Sequence, residues 1–349
     1  MRSVPSWKTA LALVAGGLCA AALVVELGLR ALTNSLFDWG ALHHWDPVVG
    51  RMYRPGIVWR HPAKGFTFTI EQHGVRANGA PPPRTDRPPT LAVGDSFTFG
   101  ENVDDRETWP AVLEQLTGVR VINGGVPGFG IDQTVLRAEQ LHRVFAPDRI
   151  VVSFIPLDVQ RGEMSISGHP KPYFEITDDG LALQPAPAVA QKPMRRLLAR
   201  SVAAELLFSR ALRPEGPEYL LVHRRGVEVA CLLMERLAAL GAGGPRVVVL
   251  AQPQAPVSDP ADVAIKEAVL ACARAEGLAT LDLFPHVDAV PPAQRALLFE
   301  THMTPAGNRF VAARLAEFLE RLPAAEPTDP RGQRRGRPWR RGRLFLQAV

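Results

Sequence analysis

Apolar residues in this chain form one long run near the N-terminus and then short runs that alternate with segments of helical spacing. Five short runs predict buried strands: TLAV (90–93), VRVIN (119–123), RIVVSFI (149–155), PRVVVLAQ (245–252) and ATLDLF (279–284). Helices are predicted between them, at ETWPAVLEQLTG (107–118), IDQTVLRAEQLHRVF (131–145) and AIKEAVLACARAEG (264–277), with a last one after Thr304. Strands alternating with helices predict an α/β fold, a mainly parallel sheet covered by helices on both faces.

Two stretches depart from this alternation. Residues 33–88 predict an irregular N-terminal extension, because Trp, His and Pro are scattered among short alternating runs such as FTFTI. Residues 160–244 show helical spacing in RRLLARSVAAELLFSRALR and around 218–240, with no clear strand pattern. They predict a helical insertion in a domain of residues 89–322, and a lid over one end of the sheet and a pair of ordinary packing helices both fit.

The long apolar run, WKTALALVAGGLCAAALVVELGLRAL, has no charge between Lys8 and Glu26. About twenty helical residues span the hydrocarbon core of a bilayer. Arg2 and Lys8 precede the run, so the positive-inside rule keeps the N-terminus in the cytoplasm and places the rest outside. Residues 1–32 are therefore predicted to be a single-pass anchor in the cytoplasmic (inner) membrane, with a periplasmic domain. A cleaved signal peptide ending near Ala20-Ala21-Ala22 is the alternative. Glu26 and Arg30 are expected to pair on one helix face.

The net charge of +5 is concentrated at the C-terminus. Residues 324–349 contain seven Arg against Glu326 and Asp329, which is +5 by itself, so the remainder of the chain is about neutral. This distribution indicates a basic tail, residues 323–349, predicted to be disordered, and argues against nucleic acid as a partner. The three Cys form no metal-binding pattern. Cys231 and Cys272 fit a disulfide or two buried thiols.

The candidate catalytic residues stand in motifs, two of which follow the ends of predicted strands. Parallel sheets bind ligands at this edge. The first strand ends in GDSFTFG, the second in NGGVPGFG, and FETHMTPAGNRF lies near the C-terminus. Ser96, His302 and Glu300 fit a nucleophile, a base and the acid that orients the base. The backbone N–H groups of Ser96 and Gly125 are the candidate oxyanion donors. A purely structural role is the alternative for Ser96, because Ser is favoured as the N-cap of a helix at a strand-to-helix turn.

These motifs resemble the SGNH (GDSL-type) hydrolase superfamily, particularly its membrane-anchored bacterial members. The resemblance is carried by five segments in order: ELGLR, EQHGVRANG, VGDSFTFGENVDDRETWP, VINGGVPGFGIDQ and ETHMTPAGNRF. It implies a flavodoxin-like three-layer sandwich and the hydrolysis of ester bonds, often with removal or transfer of acyl groups on carbohydrates.

The sequence departs from the family pattern at two positions. Leu157 stands where the family has an oxyanion-donating Asn, although Asp158 is retained, and Glu300 stands where the family has Asp. Loss of one oxyanion donor typically costs about two to three orders of magnitude in rate. Three explanations fit this departure: the enzyme is slow, another side chain such as Gln133 supplies the donor, or the active site has lost its activity. Asp95, Gln133 and Asp158 are candidate site-lining residues.

The sequence therefore predicts an exported, membrane-anchored serine esterase that acts on acyl esters of small molecules or polysaccharides, without metal or cofactor. An O-acyltransferase with the same triad is the alternative, and so is a catalytically impaired glycan-binding or assembly protein.

Overall fold

The computed structural model describes residues 6–32, 42–61, 64–188, 201–204, 218–242 and 244–322. Its first helix, α1 (Trp7–Leu32), contains the long apolar run. Within the described residues, Trp7–Ala31 is the one helical segment long and apolar enough to cross a membrane, a property that signal sequences share. Arg30 Nε lies 2.7 Å from Glu26 Oε1, so the predicted pair is present. The basic tail, 323–349, lies outside the described residues.

The N-terminal extension is not irregular, as the sequence suggested, because its described part contains two antiparallel hairpins. Strand β1 (His43–Asp46) pairs with β2 (Gly50–Tyr53), and β3 (Val58–Arg60) pairs with β4 (Thr67–Thr69). Asp46 Oδ1 accepts hydrogen bonds from the N–H groups of Val48 and Val49, which fixes the first turn. Strands of three or four residues are too short for their alternation to stand out in a sequence.

The remaining elements lie between residues 90 and 321. The strands are β5 (Thr90–Val93), β6 (Val121–Asn123), β7 (Arg149–Phe154), β8 (Met164–Ser167), β9 (His169–Pro170), β10 (Tyr173–Thr177), β11 (Gly180–Gln184), β12 (Tyr219–Leu221), β13 (Arg246–Ala251) and β14 (Ala279–Asp282). The helices are α2 (Ser96–Phe99), α3 (Trp109–Thr117), α4 (Ile131–Phe145), α5 (Pro156–Arg161), α6 (Gly226–Ala242), α7 (Pro260–Ala275), α8 (Phe284–Asp288), α9 (Pro292–Arg295) and α10 (Pro305–Arg321).

The central sheet contains the five predicted strands, all parallel, in the spatial order β14-β13-β7-β5-β6. Counted along the chain this is the order 2-1-3-4-5 of flavodoxin-like sheets. The order in which the chain adds strands reverses at β5, since β6 lies on one side of it and β7 on the other. In such sheets ligands bind beyond the carboxyl ends of the strands at this point. The predicted α/β fold is therefore confirmed, and its topology directs attention to the residues that follow β5.

Helices cover both faces of this sheet and complete a three-layer sandwich. One apolar cluster joins the sheet to α4, α6 and α7 through residues such as Leu141, Leu233 and Val269. The other joins it to α3 and α10 through residues such as Trp109 and Leu315. Asn308 Oδ1 on α10 accepts a hydrogen bond of 2.8 Å from the N–H of Trp109, so the two helices are also linked by a buried polar contact.

The segment expected to be a helical insertion is different in two respects. Its described part contains the short antiparallel strands β8 to β12, and the helix predicted near 218–240 is α6, which begins only at Gly226. Because α6 packs in the sandwich core, it is a packing helix and not a lid. The hairpin β10–β11 turns at Asp178 and Asp179, between the paired residues Thr177 and Gly180, and Asp-Asp-Gly between alternating runs was the signal for it. Of RRLLARSVAAELLFSRALR, only residues 201–204 are described.

Cys231 on α6 and Cys272 on α7 form a disulfide, with their Cα atoms 5.2 Å apart. This decides between the two states that the sequence left open. Disulfides persist in oxidising compartments such as the bacterial periplasm and are rare in the cytosol.

Replacing Cys231 and Cys272 together by Ser is expected to lower the free energy of unfolding by about 2–4 kcal/mol. The bridge closes a loop of 41 residues, and its loss lets the unfolded chain gain entropy. Urea denaturation with and without a reductant measures the effect. The reductant should destabilise the wild type and leave the double variant unchanged; equal sensitivity of both proteins would contradict the bridge.

Candidate active site

Ser96 begins the short helix α2, directly after the loop that follows β5. The N-cap of this helix is Asp95, whose Oδ1 accepts a 2.9 Å hydrogen bond from the N–H of Phe97. Capping is therefore done by the neighbouring carboxylate, whose Oδ2 also lies 3.3 Å from Ser96 Oγ, and the Ser96 hydroxyl is not used as a cap. This geometry removes the reading of Ser96 as a cap.

The second and shorter contact of the Ser96 hydroxyl is with His302. Its Nε2 lies 3.0 Å from Ser96 Oγ, although the two residues are 206 positions apart in the chain. His302 is held in the loop before α10, whose N-cap Thr304 accepts a hydrogen bond from the N–H of Gly307. The Phe97 ring packs 5.2 Å from the imidazole, centroid to centroid. The predicted nucleophile and base are thus within hydrogen-bond distance.

The environment of His302 favours the neutral imidazole. Burial lowers its pKa below the ordinary value of 6.5, and the Asp95 carboxylate opposes this effect. Lys64 and Arg161 lower the pKa further by repulsion. A neutral imidazole is what a base must be to accept the Ser96 proton, so the lowered pKa of His302 suits that role at neutral pH.

Glu300 is not brought to His302 in the structure. Its side chain is exposed, and among the described residues it has neither a hydrogen bond nor an ion pair. Phe299 pairs with Met303 as an antiparallel bridge, and the Glu300 N–H donates to the His302 carbonyl at 2.8 Å. This tight turn directs the Glu300 and His302 side chains to different places, which a spacing of two residues does not reveal.

The Nδ1 atom of His302 instead faces Asn102, which the sequence analysis did not single out. The distance from Asn102 Nδ2 to His302 Nδ1 is 3.2 Å. A carboxylate lies near the other nitrogen, with Glu101 Oε2 3.5 Å from His302 Nε2. Both residues come from the loop after α2, 200 residues from His302, so only the tertiary structure could show the contact.

The two predicted oxyanion donors differ in their present partners. Ser96 is the first residue of a helix, and its N–H has no acceptor among the described residues. The N–H of Gly125 donates to Asn123 Oδ1 at 3.1 Å. Gly125 also touches α2 closely, because a Cβ there would lie 2.3 Å from the Phe99 backbone nitrogen.

The three candidate site-lining residues occupy buried polar positions. Asp158 Oδ1 pairs with Arg161 Nη1 at 2.7 Å, and Arg161 Nη1 lies 3.6 Å from Asp95 Oδ2. Burial raises the pKa of Asp95, and burial together with repulsion from Asp95 raises that of Asp158 further. Gln133 uses its amide elsewhere, since Nε2 donates to the Val49 carbonyl at 2.8 Å and Oε1 accepts from the Gly130 N–H.

Leu157 packs against the apolar cluster on the α3 and α10 side of the sheet. A hydrocarbon side chain there cannot donate a hydrogen bond to an oxyanion, whereas Gln133 Nε2 carries two N–H donors, one of which is bonded to the Val49 carbonyl. Leu157 therefore does not supply the donor that the resemblance predicts after β7, and Gln133 remains a candidate for it.

A cavity of about 240 Å³ lies beside the loop that follows Gly125. Tyr53 in its wall packs on Phe99 of α2, with ring centroids 5.4 Å apart, but neither Ser96 nor His302 is among its lining residues. Its walls combine the N-terminal extension, the loop after β6 and the strands after α5. The lining residues are His43, Arg51, Tyr53, Val126, Pro127, Gly128, Phe129, Gln133, Ser167, His169, Pro170 and Lys171.

No protein-family model matches this sequence, and no curated protein matches it. Among solved structures, the chain is similar to a lipase/acylhydrolase from Enterococcus faecalis, at 16% identity and a TM-score of 0.39, over 68% of this chain and 100% of that one. It is similar to an acetylxylan esterase from Geobacillus stearothermophilus at 14% identity and a TM-score of 0.40, over 70% and 99% of the two chains. It is similar to a protein from Lactobacillus plantarum at 15% identity and a TM-score of 0.43, over 68% and 98%. At this distance the activity of this chain has to be inferred from its own residues.

Proposed function

We propose that this protein is a serine ester hydrolase that acts on acyl esters. The observation that carries the proposal is the 3.0 Å contact between Ser96 Oγ and His302 Nε2, made while Asp95 caps the helix. A serine hydroxyl becomes a nucleophile when a neighbouring base takes its proton. The lowered pKa of His302 suits it as the base, and the Ser96 N–H, which has no acceptor among the described residues, can serve as one oxyanion donor.

The reaction follows from these roles. Ser96 Oγ attacks the acyl carbonyl while His302 Nε2 accepts the hydroxyl proton, and the Ser96 N–H donates to the oxyanion that develops. His302 then gives the proton to the leaving alcohol as the ester C–O bond breaks, which leaves an acyl-enzyme. Water, activated by His302, releases the acid and restores Ser96. A sugar hydroxyl in place of water would make the protein an O-acyltransferase by the same steps.

The substrate that we propose is a small acyl ester, such as an acetyl ester, on a polar or carbohydrate alcohol. The sequence motifs imply such substrates by their resemblance to SGNH hydrolases. The cavity beside the Gly125 loop, which is not lined by Ser96 or His302, contains polar groups suited to hydroxylated molecules in Arg51, Tyr53 and Ser167.

We propose further that the enzyme is exported and held at the cytoplasmic membrane by α1, with the α/β domain on the periplasmic side. The length and composition of α1 support the anchor, and Arg2 before it and Lys8 in its first turn support the orientation. The disulfide between Cys231 and Cys272 supports an oxidising compartment independently of α1.

A fluorophosphonate probe tests the nucleophile directly. In full-length protein in detergent micelles we expect stoichiometric labelling of Ser96, identified by mass spectrometry, because the probe requires an activated serine. His302→Ala should abolish the labelling while the melting curve stays that of a folded protein. Ser153→Ala is the matched control, since Ser153 is equally buried and hydrogen-bonds to Gln252 rather than to His302.

Absence of labelling in folded wild-type protein would contradict the esterase. It would favour the second candidate, a glycan-binding protein on an inherited fold, which the hydrocarbon side chain of Leu157 and the engaged N–H of Gly125 motivate. Binding of an acetylated oligosaccharide without turnover would then be the expected behaviour.

A further inference from the structure

We propose that Asn102 is the residue that orients His302, so that the site works as a Ser96–His302–Asn102 triad. This inference rests on the proposed ester hydrolase. Its basis is the 3.2 Å contact between Asn102 Nδ2 and His302 Nδ1, on the opposite side of the ring from the 3.0 Å contact with Ser96. Among the described residues, no carboxylate is hydrogen-bonded or ion-paired to Nδ1. Asn102 therefore occupies the position that an acid has in other serine triads.

An amide can perform this role because it offers a donor and an acceptor on the same group. With its NH₂ toward Nδ1, as in the structure, the imidazole proton lies on Nε2 and the ring cannot accept from Ser96. Rotating the amide by half a turn presents Oδ1, which accepts the Nδ1 proton and frees Nε2 as a base. Thr301 Oγ1, 2.9 Å from Asn102 Nδ2, fits both orientations, since a hydroxyl donates as well as accepts.

The backbone around Asn102 is held in a specific conformation. Asn102 has a φ of 73°, in the left-handed region that Asn tolerates better than most residues. The buried guanidinium of Arg76 donates to the carbonyls of Phe99 and Gly100 before it, and to that of Val103 after it. Asp105 fixes Arg76 in turn, at 2.9 Å from its Nε. Arg76 thus holds the backbone on both sides of Asn102, and this fixes the position of the Asn102 amide beside His302.

A neutral amide beside His302 affects the pKa of the imidazole differently from a carboxylate. The charged and titratable groups around His302 are Asp95, Lys64 and Arg161, together with Glu101, whose Oε2 lies 3.5 Å from Nε2. An amide adds no charge to this set, so it does not oppose the lowering of the His302 pKa that burial causes. A carboxylate in the same place would raise that pKa by stabilising the imidazolium.

Three variants of the full-length protein in detergent test the assignment. Asn102→Gly removes the amide and keeps the left-handed backbone unstrained. We expect it to lower kcat by about 10–100-fold with KM nearly unchanged, because the imidazole loses its orientation. Asn102→Asp is isosteric and accepts only, so we expect kcat to be retained and the acid limb of kcat/KM to move up by about one pH unit or more. Glu300→Gln should leave kcat within about twofold and the acid limb in place, as expected for an exposed residue away from substrate.

Nuclear magnetic resonance of the same variants with ¹⁵N-labelled His gives a readout that does not depend on turnover. His302→Gln assigns the signals among the nine His. Asn102→Asp should raise the pKa of His302 and increase the population protonated at Nδ1. Unchanged kcat in Asn102→Gly together with an unchanged His302 titration in Asn102→Asp would overturn the assignment, and so would a loss of kcat with a shifted acid limb in Glu300→Gln. Failure of the esterase itself is recognised separately, as missing Ser96 labelling in the wild type.

Discussion

Ser96→Ala is expected to lower kcat for hydrolysis of 4-nitrophenyl acetate by about four to six orders of magnitude. The reason is that Ser96 Oγ, 3.0 Å from His302 Nε2, is the atom that forms the acyl-enzyme, and among the described residues no other hydroxyl is hydrogen-bonded to that nitrogen. The loss should appear in kcat rather than in KM, because the hydroxyl contributes to the transition state far more than to substrate binding. Initial rates with purified full-length protein measure it.

The double variant with His302→Ala provides the control. Residues that act as a unit are strongly non-additive, so the double variant should be no slower than Ser96→Ala alone. Thr98→Val, on the same helix, is the matched substitution, since Thr98 Oγ1 is buried without a hydrogen-bond partner in the described structure. Thr98→Val should retain most of the activity. More than a tenth of the wild-type rate in Ser96→Ala would exclude Ser96 as the nucleophile.

Gly125→Ala is expected to reduce kcat by about 100-fold or more, because a misplacement of about 1 Å in a catalytic group has this effect. The added Cβ would lie 2.3 Å from the backbone nitrogen of Phe99 and 2.8 Å from the Thr98 carbonyl carbon. These are backbone atoms of α2, so the clash is relieved only by moving the helix that begins at Ser96. Overpacking of this kind also costs about 1–3 kcal/mol of stability.

Gly128→Ala, in the same loop, separates the two effects. Gly128 has open space around its Cβ position but a φ of +81°, so the variant is strained without a clash. Its stability should fall by about 1–2 kcal/mol, while kcat stays within a few-fold of wild type. Urea denaturation and initial rates on both variants measure the contrast. Equal activity losses in the two variants would indicate that loop stability, and not the position of α2, controls the rate.

The α/β sandwich was predictable because the sequence features that define its strands and helices lie within each element. Buried parallel strands read as apolar runs, and capped helices begin and end at recognisable residues, so β5 and α4 have the predicted bounds. The strands of the extension and of residues 164–221 were missed, since two to five residues carry little periodicity and their pairing is decided by contacts elsewhere. The predicted helix near 218 begins at Gly226, because residues 219–221 form a strand with β8.

The candidate active site was also predictable only in part. The sequence by itself determined a candidate nucleophile and base, since Ser96 and His302 stand in motifs at the ends of predicted elements, and it determined an apolar segment able to cross a membrane. Only the tertiary structure decided what surrounds them. It made Asp95 the cap, turned Glu300 outward, directed the Gly125 N–H to Asn123 and brought Asn102 to His302 across 200 residues. The physical reason is that a motif fixes residue types and local turns, whereas the direction of a side chain depends on what packs against it. For Asn102 that is the loop held by Arg76, which lies in a different part of the chain.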